Sequence, residues 1–390
     1  MRKVYQQFIF LLLLSPILLS NSISYAYQGL KLGEAEINPY AGIKVQYDDN
    51  VFWDTENEKK DIITTLTPGI GLKLPFTGNS LKLDYHADIN KFKDYTSQNT
   101  TNHFASGEIE FNWSGITINL HDNFARLFDR PSIEDATRVK RDDNKAGVSL
   151  HLQRERLGIQ IGYDNFTRNY KSDPVYEQFD RKEHVYSLML THQTFSKTKL
   201  LFEYDFGQIR YNESTSSDSD YSQFLVGAIG DLTDNTTSTI KTGYQARNYK
   251  NAGAKDFKSG VLYADVIHKF SEKNSLKLDF LKTANESTYG TNNFYDVSKI
   301  SGTFDHYFTP KLLGFITGLY QLNAYPKEVT VGSDTKKRKD NYYSLGAGLK
   351  YYLKEWLTSA IQAEHIVRDS NFSLFDIKDN LITFNAKAGF

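Results

Sequence analysis

The sequence predicts an all-β protein: a transmembrane antiparallel up-and-down β-barrel of about 18 strands. Three observations predict it. Apolar and polar residues alternate at period two in segment after segment. Short turns and long polar loops alternate between those segments. After the first 26 residues, no stretch approaches the roughly 18 consecutive apolar residues of a membrane-spanning helix, yet 14% of the chain is aromatic.

From the N-terminus, Met1, Arg2 and Lys3 form a short basic region. An apolar run from Phe8 to Leu19 follows, and then Ser24, Tyr25 and Ala26. The run is too short to span a bilayer comfortably, and small residues stand where a signal peptidase cuts. The expectation is a signal peptide over residues 1–26 and a single barrel over 27–390. Cleavage removes two of the 46 Lys and Arg and leaves 47 Asp and Glu, a formal charge of −3. The chain has no Cys, which excludes thiolate metal sites, Cys nucleophiles and disulfides. Only 8 Pro are present, as suits a chain of ladder-forming strands.

The alternating runs come next. Leu81, Leu83, Tyr85, Ala87 and Ile89 alternate with Lys82, Asp84, His86, Asp88 and Asn90. Ile116, Ile118 and Leu120 alternate with Thr117, Asn119 and His121. Val148, Leu150 and Leu152 oppose Ser149, His151 and Gln153. Leu200, Phe202, Tyr204 and Phe206 oppose Glu203 and Asp205. Leu276, Leu278 and Phe280 oppose Lys277 and Asp279; Leu345, Ala347, Leu349 and Tyr351 oppose Lys350. Helical spacing explains none of these. Asp122 and Gly227 break the pattern.

Strands are expected near 36–50, 61–74, 81–95, 103–113, 116–128, 141–153, 157–170, 181–194, 199–211, 220–231, 237–249, 257–269, 275–288, 295–308, 312–325, 340–352, 356–369 and 379–390. Eight short turns and nine long loops connect them, the loops including 54–60, 129–140, 171–180 and 326–339. An even strand number puts both termini on one side, expected to be periplasmic, with the short turns. Aromatics near strand ends, such as Phe92, Trp113, Phe128, Tyr170, Tyr249, Phe270, Phe308, Tyr325, Tyr352 and Trp356, are expected to form two girdles at the headgroups. In the last strand Ile382, Phe384, Ala386, Ala388 and Phe390 share one face. The terminal aromatic Phe390 is the expected signal for the barrel-assembly machinery.

Several phrases carry a family resemblance. They are Tyr47-Asp48-Asp49-Asn50-Val51-Phe52, Thr67-Pro68-Gly69, Leu81-Lys82-Leu83-Asp84-Tyr85, Arg141-Asp142-Asp143-Asn144 and Arg368-Asp369-Ser370-Asn371. Together they resemble the porin-2-like β-barrels found beside exopolysaccharide synthesis genes. The resemblance implies an outer-membrane barrel serving polymer export, with polysaccharide and periplasmic export proteins as partners. It supplies no catalytic residues.

Charged residues on a lipid face are costly, so the polar face is expected to line a lumen. Its candidate lining is Lys82, Asp84, His86, Asp88, Lys91, Glu108, Glu110, His121, His151, Glu203, Asp205, Lys241, Arg247, Lys277, Asp279, Lys350, Gln362 and Glu364. Barrels of 16–18 strands leave an aqueous channel. The basic run Lys336–Lys339 in the 326–339 loop is weighed as an inward anion attractor against a solvated loop, and the solvated loop is preferred. None of the nine His sits in a nucleophile motif, and no phosphate loop or nucleic-acid signature appears, so no enzyme and no cofactor are expected. The function expected is a porin-like outer-membrane channel for hydrophilic solutes, with exopolysaccharide exit as its finer form. The competing reading is a non-channel barrel acting as adhesin, receptor or structural protein.

Overall fold

A computed structural model describes residues 29–389 except 130–137, 172–173, 214–215, 252 and 290–291. The expected leader and Phe390 lie outside the described residues. The chain forms β1 (Leu30–Leu32), β2 (Ala35–Asp48), β3 (Asp61–Phe76), β4 (Asn79–Phe92), β5 (Thr100–Trp113), β6 (Ile116–Asp129), β7 (Val139–Arg154), β8 (Leu157–Tyr170), β9 (Arg181–Gln193), β10 (Thr198–Tyr211), β11 (Ser219–Thr233), β12 (Thr236–Tyr249), β13 (Phe257–Lys269), β14 (Asn274–Glu286), β15 (Phe294–Thr309), β16 (Leu312–Val331), β17 (Asp334–Lys354), β18 (Leu357–Ser370) and β19 (Ile377–Gly389). The three-residue β1 only folds back on β2. The other 18 strands pair antiparallel in sequence order, and β19 closes the ring on β2 from Leu381↔Asp48 to Gly389↔Tyr40. The expected strand count is therefore met.

Closure has a direct cause. An open sheet edge in lipid leaves N–H and C=O groups unpaired at several kcal/mol each, roughly. The β19–β2 ladder removes both edges. Register then fixes which face is apolar. Ile43 lies opposite Leu66, Leu66 opposite Ile89, and Tyr47 opposite Ile382. Around the outside run Ile43, Leu66, Leu83, Val148, Ile161, Leu188, Phe202, Val226, Ile300, Ile316, Leu345, Ile361 and Phe384, all exposed. A continuous apolar band of this extent belongs against hydrocarbon, not water.

Left-handed residues tighten three of the short turns, at Thr77 and Gly78, at Gly115 and at Glu155. Thr77 and Gly78, at φ 45° and 81°, join β3 to β4 in two residues. The eight longer connections, and the two-residue β16–β17 turn, lie at the opposite end of the cylinder.

Two expectations change. Residues 326–339 are not a loop. They extend β16 and β17 into a hairpin that turns at Gly332, φ 61°. Val329, Thr330, Val331 and Thr335 are β-branched and favour strand. A bulge accommodates Pro326: the ladder runs Ala324↔Lys339 and then Glu328↔Lys337, so Tyr325, Pro326 and Lys327 face Arg338 alone. The girdle also shrinks. Trp113, Phe270, Phe308 and Trp356 face outward near the short turns, as expected. Phe92, Tyr170, Tyr249, Tyr325 and Tyr352 are buried on the inner face instead. One step of parity at a strand end decides between the two sides.

Asp122 sits at the middle of β6 on the outer face, exposed, with Gly107 and Ala146 as cross-strand neighbours. A carboxylate there faces the apolar zone. Asp122→Leu is expected to stabilise the barrel by about 1–2 kcal/mol, read as a higher urea midpoint in lipid. An unchanged or lowered midpoint would mean that Asp122 does not meet hydrocarbon.

Candidate functional site

The register puts Lys82, Asp84, His86, Asp88, Glu108, Glu110, His121, His151, Glu203, Asp205, Lys241, Arg247, Lys277, Asp279, Lys350, Gln362 and Glu364 on the inner face. Lys82 pairs across from Glu108, Glu108 from His121, and Thr117 from His151. Asp265 pairs across from Asp279, and Leu313 from Lys350. Lys91 differs. It lies opposite Thr64 on the outer face, because the odd positions of β4 carry Leu83, Tyr85 and Ile89 outward.

These residues do not form one site. They divide by depth and by side. Toward the short turns the interior is wet. Lys82 and Glu108 pair at 3.2 Å while their side chains stay 47% and 35% exposed. Lys277 lies 3.6 Å from Asp265 and 3.3 Å from Asp279, all three well exposed. The wall from β3 to β8 is dense in hydrogen-bonding groups. Thr65 donates to Asn90 at 2.7 Å. Tyr40 donates to Asp84 at 2.9 Å, and the His86 ring stacks on Phe104 at 4.6 Å. His121 Nε2 lies 2.9 Å from Asp164 Oδ1, with the Lys145 ammonium 3.5 Å from the same oxygen.

Two glycines make these long reaches feasible. Tyr40 crosses β3 to touch β4, and a Cβ on Gly69 would sit 2.2 Å from the Tyr40 ring. His121 crosses β7 to meet β8, and a Cβ on Gly147 would sit 2.7 Å from the imidazole and 2.5 Å from Asp164. Each pair therefore staples three strands over a missing side chain.

Toward the long loops the inner face is packed. One cluster fills the side from β7 to β14. Arg168 binds Asp143 through two bonds of 2.7 Å, and Arg141 donates to the same carboxylate at 3.0 Å. Arg181 donates to Glu183 at 2.7 Å, and below them, at mid-height in the wall, Lys241 donates to Glu203 at 2.7 Å. Arg247 binds Glu286, which also accepts from Tyr211 at 2.7 Å and Tyr249 at 3.1 Å. Gln245 donates to Gln223, and Gln223 to Asp205, each at 3.0 Å. The side chains of Arg247 and Glu286 are only 2% and 5% exposed. Charges so deeply desolvated persist because they are paired and hydrogen-bonded.

A second cluster fills the side from β14 to β19. Arg338 is 1% exposed and donates to Asp340 at 3.1 Å. Its guanidinium lies 3.8 Å from the centre of the Phe375 ring, 4.5 Å from Tyr289 and 4.9 Å from Tyr325. The basic run in the hairpin thus splits: Arg338 turns inward to its rings, while Lys337 and Lys339 stay exposed. Trp53 donates to Asp379 at 3.1 Å, tying the β2–β3 connection to β19.

Sequence reasoning missed Tyr211, Glu286, Arg168, Arg181, Arg338 and Trp53. Arg168 and Arg181 stand on the inner parity of β8 and β9 and were legible there. Glu286 was not. The β13–β14 ladder ends at Leu262↔Lys282, so the last residues of β14 pair only with β15 and Glu286 swings inside. Among the described residues no group of three or more His, Cys, Asp or Glu is placed to hold a metal ion.

The sequence matches a family model described as "Putative beta-barrel porin 2" over residues 23–390. No curated protein matches it. Among solved structures it is similar to Pseudomonas aeruginosa OpdK with vanillate, at 12% identity and TM-score 0.52, covering 91% of this chain and 99% of that one. It is similar also to a BenF-like porin from Pseudomonas fluorescens Pf-5, at 11% identity and TM-score 0.52, covering 92% and 100%. At these identities the likeness is one of fold.

The packed clusters give a stability expectation. Lys241→Ala leaves Glu203 desolvated and without its ammonium partner, and should cost about 3–5 kcal/mol in urea unfolding. The double change Lys241→Met with Glu203→Leu should recover most of that loss. Equal losses in the single and double variants would show that the pair contributes only packing.

Proposed function

This chain belongs to the Putative beta-barrel porin 2 family, and on that premise we propose that it is a water-filled outer-membrane channel for hydrophilic solutes. The observation that carries the proposal is the half-exposed, hydrogen-bonding inner wall from β3 to β8. Residues such as Lys82 and Glu108 face inward yet remain open to solvent. The two clusters near the long loops narrow the interior from the other sides. The path we propose runs along Asp84, His86, Asp88, Glu108, His121 and His151, continues past Lys277, Asp279 and Lys350, and skirts the buried Glu110, Glu203 and Asp205. We further propose that the short turns and both termini are periplasmic, and that residues 1–26 are removed as a signal peptide.

Within this reading, the finer solute is a secreted exopolysaccharide. Polar walls of Asn, Thr and carboxylate side chains match a hydroxyl-rich chain. On this reading, periplasmic export proteins couple the barrel to synthesis. The barrel-assembly machinery, reading Phe390, is the proposed insertion partner.

The absence of Cys makes thiol scanning clean. Purified protein in a planar bilayer should conduct. His86→Cys and His121→Cys should lose conductance when a charged thiol reagent is added. Gln245→Cys, at a position 1% exposed, should be unaffected. A bilayer that stays sealed under all voltages would instead favour the adhesin or receptor reading. Block at Gln245→Cys without block at His121→Cys would move the path to the opposite wall.

A further inference from the structure

Among the described residues, Lys199, Lys299, Lys350 and Lys387 on the inner face have no ion-pair partner. One of them stands at a prepared place. The Lys387 ammonium lies over the face of the Tyr40 ring, 4.5 Å from its centre. Lys387 is exposed and Tyr40 half-buried, so the contact borders the lumen, toward the short turns.

Tyr40 is fixed where it lies. Its hydroxyl meets both oxygens of Asp84, at 2.9 and 3.1 Å. The ring reaches Asp84 over Gly69, where a side chain would occupy its place. Gly42 and Gly71, inner positions beside it, also lack side chains. The wall of β2 and β3 is therefore low around the ring, and one flexible lysine covers its face. The aromatic surface continues along the wall. The His86 ring centre is 6.2 Å from that of Tyr40, and Phe104 stacks on His86 at 4.6 Å. Register explains the run, since Tyr40, Gly69, His86 and Phe104 lie on one cross-strand row from β2 to β5.

This surface suits one kind of unit. The negative face of an aromatic ring attracts partly positive C–H groups, and a pyranose presents several on one side. An ammonium with no carboxylate of its own can take an incoming one through a charge-assisted hydrogen bond. The carboxylates nearby are already engaged. Asp84 holds Tyr40 and lies 3.3 Å from His86 Nδ1, and Asp88 accepts from Thr67. Resting on the channel reading above, we propose that Tyr40 and Lys387 form a binding station for a uronic acid unit of a saccharide. The sugar ring takes the place of the ammonium on Tyr40, and Lys387 swings aside to hold the sugar carboxylate. Asp84 and His86, with side chains 40% and 28% exposed, hydrogen-bond its hydroxyls.

The test uses two probes of equal length, digalacturonate and uncharged galactobiose, as blockers of single-channel current in planar bilayers. In wild type, digalacturonate should reach half-block at a concentration about tenfold or more below that of galactobiose. Lys387→Gln should bring the two within about twofold, and Lys387→Arg should restore the gap. Tyr40→Leu should weaken block by both probes, and Tyr40→Phe should keep most of it. Lys199→Gln removes the same charge from β10 and should leave the gap intact. A conducting wild type that does not discriminate would overturn the proposal while leaving the channel standing. So would an equal loss in Lys199→Gln and Lys387→Gln, because the lumen's total charge would then be acting rather than this station. A bilayer that stays sealed would overturn the channel reading, and calorimetric titration of the detergent-solubilised protein with digalacturonate then judges the station. Binding that Lys387→Gln loses and Lys199→Gln keeps supports it; no binding by wild type overturns it.

Discussion

The rest of this structure depends on one constraint: every backbone hydrogen bond within the apolar zone must be made by the chain itself. Water is not available there to satisfy an N–H or a C=O. A sheet meets the constraint only by closing, and β19 meets β2 for that reason. Closure gives the chain two surfaces with different solvents. The period-two geometry of a strand then assigns every residue to one of them. Alternation in the sequence is the trace of that assignment, and a hydrophilic average composition is its consequence.

The inner surface solves a different problem at each end. Near the short turns, charged side chains keep water and remain only loosely paired. Near the long loops they are stripped of water and locked. Burying a guanidinium is costly unless a carboxylate and good hydrogen bonds accompany it. The structure supplies these at Arg168, Arg181, Arg247 and Arg338, often with an aromatic ring alongside. Replacing a whole buried ion pair by apolar groups is often neutral, whereas removing one partner is costly. Here the pairs hold neighbouring wall strands and the turned-in connections in one arrangement. Glycine has a matching role on the β3–β8 wall. Gly69 and Gly147 clear the way for Tyr40 and His121 to reach across a strand.

Much of the fold was legible. The expected ranges for β6, β8, β10 and β13 fall within one residue of those observed, because apolar alternation and turn residues agree there. The 326–339 segment misled because charge density outweighs strand propensity when a sequence is read locally. Lys336–Lys339 read as loop, while Val329–Val331 and Thr335 supplied enough β-branching for a hairpin. The candidate site was legible by face but not by depth. Lys82 and Glu203 both have inner parity, yet one stays half-exposed and the other is nearly sealed. Burial on the inner face depends on which strands curve toward each other, and no local pattern records that.

By itself the sequence determined the class, the approximate number of strands, the direction of most side chains and the absence of thiol chemistry, since each follows from period two and composition. Tertiary structure alone decided the partners. Glu286 joins Arg247 because β14 leaves one ladder early, and Arg338, on the inner face of β17 with Asp340 and Tyr342, meets Phe375 from the connection between β18 and β19. Partners so far apart in the chain are set by curvature and register, which exist only once the ring has closed.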